Sequence, residues 1–95
     1  MTTPRPLLID PDVVAYEDQC DREGRGPHRL DPWLVQKYVQ AILRAGPMEA
    51  VADLERRIWH RYGRRESWNV NRQALAQIKE SILIRRAQLE RDHAH

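Results

Sequence analysis

From residue 31 onward the apolar positions recur at helical spacing. Leu34, Val35, Tyr38, Val39 and Ile42 form one broad stripe, and Val51, Leu54, Ile58 and Tyr62 form a second. Ala74, Leu75, Ile78, Ile82 and Leu89 form a third. Residues three or four apart share one face of an α-helix, so each stripe predicts an amphipathic helix packed on a core. No strand-like alternation appears after residue 30. Asp31-Pro32 places an acid at a capping position and a proline in a first turn. Ala45-Gly46-Pro47 stops one helix and opens the next, and Gly63 ends the third. Ser67 or Asn69 is placed to cap the last. The predicted helices cover 32–45, 47–62 and 69–92.

The N-terminal third is less regular. Asp10-Pro11-Asp12 repeats the start signal, Val13, Tyr16 and Cys20 make a narrow stripe, and Gly24 and Gly26 close it. This predicts a short acidic helix over 11–23, with a hairpin of residues 7–9 against 13–16 as the alternative. Pro4 and Pro6 keep residues 1–9 extended, and Leu7-Leu8-Ile9 would pack across the domain as a strap or dock on a partner. A chain of 95 residues makes one domain with its own core. The expected architecture is therefore all-α: a bundle of three to four helices in a single domain over 1–95. An extended strap precedes it, and residues 86–95 overhang or fray at the end of the longest helix.

Three residues break the pattern. Leu83 and Ile84 fall outside the stripe of the last helix, while Arg85 falls inside it. Apolar residues on extra faces need a cover, which either the first helix or a partner would supply. Trp33 sits in the first turn of its helix, off the stripe. It packs on the linker around Pro27 and His28 or forms a contact hot spot.

Charge adds a second theme. The net charge is only +2, yet residues 10–23 carry six acids against Arg22, and residues 56–72 carry six arginines against Glu66. Residues 56–68 also hold two of the three tryptophans. Arginine pairs with phosphate and aromatic rings stack on bases, so Arg56, Arg57, Arg61, Arg64, Arg65 and Trp68 are candidate nucleic-acid contacts. The favoured alternative is a solvated arginine face neutralised by the acidic first helix, with Trp59 and Trp68 over the core. Sequence-specific reading by a helix-turn-helix is disfavoured. The N-terminal residues of its recognition helix would be Met48, Glu49, Ala50, Ala52 and Asp53, which are small, acidic or apolar.

The chemistry-bearing motifs are missing. There is no glycine-rich phosphate loop, no GxSxG, and no CxxC, HxxxH or HExxH, so no catalytic residue, metal ligand or cofactor is assigned. His93-Ala94-His95 is at best an adventitious chelator. No apolar run spans a bilayer, no secretory leader is legible, and the lone Cys20 suits a reducing cytoplasm. Residues 34–65, with Glu49-Ala50-Val51-Ala52, bear a faint similarity to the small helical delta subunits of molybdenum formate dehydrogenases. It rests on common helix formers, and no residue role is carried over. The leading expectation is a non-catalytic protein–protein interaction module: an accessory, adaptor or regulatory subunit, or a homo-oligomer, contacting its partner through Trp33, Leu83 and Ile84. The alternative is a protein that binds the nucleic-acid backbone through the basic aromatic stretch.

Overall fold

The computed structural model describes residues 8–24 and 28–93. Four helices follow one another: α1 (Pro11–Glu23), α2 (Pro32–Arg44), α3 (Met48–Tyr62) and α4 (Arg65–His93). No strand occurs among the described residues. The all-α expectation holds, and helix replaces the alternative hairpin at 13–16. Residues 1–7 of the expected strap lie outside the described residues, as do Pro27 of the linker and the last two residues of the chain.

The ends of α1 follow the local chemistry. The Asp10 side chain accepts from the Asp12 amide, Pro11 opens the helix, and Gly24 closes it in the left-handed region at φ 65°. α4 departs from expectation by starting at Arg65 instead of 69. The Ser67 and Trp68 amides already donate to the Arg64 carbonyl, so Ser67 and Asn69 lie inside the helix and neither caps it. Gly63 permits this abrupt turn, because a Cβ there would sit 2.6 Å from the Trp59 ring.

α2 and α4 run parallel. Leu30 and Asn71 meet at one end, and Ala45 and Arg85 meet at the other. α3 returns between those ends. The core contains Leu34, Tyr38, Ile42, Val51, Leu54, Ile58, Leu75, Ile78 and Ile82, which are the three predicted stripes. The backbones of α2, α3 and α4 approach one another closely, whereas α1 joins through its side chains. At 1.5 Å per residue α4 is roughly 43 Å long, close to the molecule's longest extent of 47 Å. It stays helical through position 93.

Arg85, the charge on the α4 stripe, has a clear place. Its Nε donates to the Ala45 carbonyl at 2.7 Å, satisfying a backbone acceptor just past the end of α2. Asn71 does similar work at the other end. Its Oδ1 accepts from the Leu30 amide at 2.7 Å. Its Nδ2 donates to the His28 carbonyl at 2.8 Å and the Tyr62 carbonyl at 3.4 Å.

Candidate functional site

α1 lies across α2 and α3 with Glu17 and Asp21 turned toward them, while Asp12, Asp18 and Glu23 are exposed. Glu17 falls between Val13 and Cys20 on the buried side of α1 and is itself 1% exposed. Its carboxylate accepts from the Tyr38 hydroxyl at 2.6 Å and the Tyr62 hydroxyl at 2.5 Å. It also accepts from the Arg57 guanidinium at 2.5 Å. One turn on, Asp21 receives both terminal nitrogens of Arg61, at 3.0 and 3.1 Å. A buried carboxylate is tolerable only when such donors surround it. At the start of α1, Asp10 accepts from Lys37 at 2.7 Å.

The titrating groups respond accordingly. Burial, and then the Glu17 carboxylate, push the Tyr38 and Tyr62 hydroxyls well above the usual tyrosine range. The hydrogen bond from Arg61 holds Asp21 below the usual carboxylate range, and Lys37 does the same for Asp10. Burial opposes the charge on Arg61, yet its hydrogen bond to Asp21 and its neighbours keep it above the usual value.

The six residues of the basic aromatic stretch are therefore divided. Arg57 and Arg61 face α1 and are engaged by Glu17 and Asp21. Arg56 points to solvent and pairs with Asp53 one turn back. Arg57, one residue on, turns inward to the buried carboxylate of Glu17. Arg64 lies against the His60 ring, and Arg65 is exposed in the first turn of α4. Trp68 is 43% exposed, with the Arg72 guanidinium over its ring at 4.9 Å, so it does not cap the core. Trp59 packs partly buried against the core.

The three candidate partner contacts are also divided. Trp33 meets the Tyr16 ring of α1 edge-on, with centroids 5.1 Å apart, on the side of α2 away from α4. Leu83 and Ile84 stand on the outer face of α4, 57% and 46% exposed. α1 does not reach them, because it packs on α2 and α3.

No family model, curated protein or solved structure matches this chain.

Three features escaped the sequence reading. Glu17 counted only as one acid in a charged run, although its spacing from Val13 and Cys20 places it on the α1 stripe. Asn71 precedes Leu75 by four residues, and a polar residue on an apolar stripe is the signal that would have found it. A third is a polar recess of about 590 Å³ at the α3–α4 turn, bounded by Asp21, His28, His60 and residues 64–67. Sequence spacing cannot bring residue 28 to residue 67. Among the described residues no group of three His, Cys, Asp or Glu side chains is placed to hold a metal. No described helix is long and apolar enough to cross a membrane.

Proposed function

We propose that this protein is a small, non-catalytic interaction module that docks a protein partner, or a second copy of itself, through the outer face of α4. The observation that carries the reading is the exposure of Leu83 and Ile84, at 57% and 46%, on a helix face that α1 leaves uncovered. Ala76 and Ala87 are exposed on the same face, one to two turns away. Together they make a narrow apolar band that Glu80 crosses and that Lys79 and Glu90 flank on one side, a pattern suited to a second helix lying alongside. Trp33 belongs to a different side and serves as a separate contact. An accessory or regulatory role in a reducing cytoplasm fits the buried, unpaired Cys20.

The nucleic-acid alternative draws on fewer groups. Arg57 and Arg61 are neutralised by α1 and Arg56 by Asp53, which leaves Arg64, Arg65 and Trp68 free to contact a backbone.

The test pairs light scattering over a concentration series with affinity isolation of complexes, using wild type and Leu83→Ser/Ile84→Ser. The expected result is an oligomer or complex that the double variant loses while keeping its helicity and melting temperature, since both side chains are exposed. A wild type that stays monomeric and forms no complex the variant loses would sink the proposal.

A further inference from the structure

The recess at the α3–α4 turn brings three arginines, two histidines and Ser67 together with the carboxylates of Asp21 and Glu66. α4 is the longest helix of the fold, and the amides of Arg65 and Glu66 precede its first backbone bonds. Such amides carry partial positive charge and seek an acceptor. The residue preceding the helix is Arg64. Arginine has five N–H donors and no acceptor, so its side chain cannot cap these amides. By contrast α1 begins on Asp10, whose carboxylate takes that place.

Ser67 supplies an independent observation. It is 3% exposed and lines the recess, and its hydroxyl has no hydrogen-bond partner among the described residues. Ser81, the other serine, donates to the Gln77 carbonyl one turn back. Ser67 makes no such bond, and it lines the recess.

We infer that this recess is a binding site for the phosphoryl group of a small phosphorylated molecule. A tetrahedral oxyanion offers several acceptors at once and matches a helix N-terminus, a hydroxyl and a guanidinium fork. Arg64 and Arg65 stand at the rim with the His60 and His28 rings beside them. Two acids also border the space. Asp21 is satisfied by Arg61, so it adds little repulsion, and Glu66 is exposed, where solvent screens its charge. These acids and the concave shape disfavour an extended polyanion and favour a compact ligand. The inference is independent of the α4 docking face, because Leu83 and Ile84 lie four turns away along the helix.

The experiment is an amide NMR titration of the full chain with pyrophosphate and inorganic phosphate, with ionic strength held constant by sodium chloride. The expected result is saturable shifts centred on Arg65, Glu66 and Ser67, with pyrophosphate binding at roughly millimolar Kd or tighter. Arg65→Ala, at an exposed position, should weaken binding about tenfold, and Ser67→Ala should weaken it several-fold. Arg56→Ala, outside the recess, should leave it unchanged. Shifts that never saturate, or that spread equally to Arg56 and Arg86, would overturn the site. So would a Kd that Arg65→Ala and Ser67→Ala both leave intact. A single-stranded oligonucleotide that binds more tightly than pyrophosphate, and also shifts Trp68 and Arg72, would overturn the small-ligand assignment in favour of nucleic acid.

Discussion

Glu17 is the residue on which the polar interior depends. One carboxylate takes two tyrosine hydroxyls and an arginine, all within 2.6 Å. Its effect on the tyrosines gives a pH signature. Their hydroxyls are raised above the ordinary value of 10.0 in the folded chain, so the stability they contribute is complete below about pH 10. That stability is lost as the pH rises beyond it, because the unfolded chain releases protons that the folded chain retains. In an alkaline titration followed by phenolate absorbance and circular dichroism, Tyr38 and Tyr62 should ionise only as the helices melt. Ionisation of all three tyrosines near pH 10 with helicity intact would contradict this. The residue scale is also where the sequence was least informative. Helical spacing placed Val13 and Cys20 on the inner side of α1, but an acid between them reads as surface until its donors, from residues 38, 57 and 62, are known to converge.

The elements were largely legible. Helices α1, α2 and α3 begin and end within one or two residues of the positions that Asp-Pro, Gly-Pro and single glycines announce. α4 began four residues early because backbone geometry after Gly63, and not a capping side chain, starts it. What sets the elements against one another was not legible, since it depends on polar side chains reaching distant backbone. Asn71 is the clearest case: from one buried position it holds the 28–30 segment, the end of α3 and α4 together. Asn71→Ala should destabilise the fold by about 2–3 kcal/mol, because a buried amide and two carbonyls lose their partner. Asn71→Asp should not rescue it, since a carboxylate offers no donor to the His28 and Tyr62 carbonyls. Chemical denaturation measures both, and a loss under about 0.5 kcal/mol for the alanine variant would show that the clamp is dispensable.

In the whole molecule, opposite charges that stand apart in sequence are brought face to face. The acidic segment of α1 covers the inward half of the arginine stretch, while the outer face of α4 and the recess at its N-terminus stay open. That division was only half visible beforehand. The neutralising role of α1 was the favoured reading, but which arginines it takes depends on how the helix crosses α3. The same arrangement makes α1 a unit that can open by itself. It is fastened by Val13, Tyr16, the buried Cys20 and a set of ion pairs, without the close backbone packing that joins α2, α3 and α4. When α1 lifts, Glu17, Asp21, Arg57 and Arg61 all regain hydration at once, which offsets much of the lost attraction. Its amides should therefore exchange with deuterium faster than those at the centres of α2 and α4. Glu17→Ala, which leaves Arg57 and two tyrosine hydroxyls without their acceptor at a cost of about 3 kcal/mol, should widen that gap while the three-helix remainder keeps its protection. Uniform protection across all four helices would mean that α1 opens only with the rest. Such a detachment, far short of unfolding, would uncover two arginines and remove the Asp21 wall of the neighbouring recess.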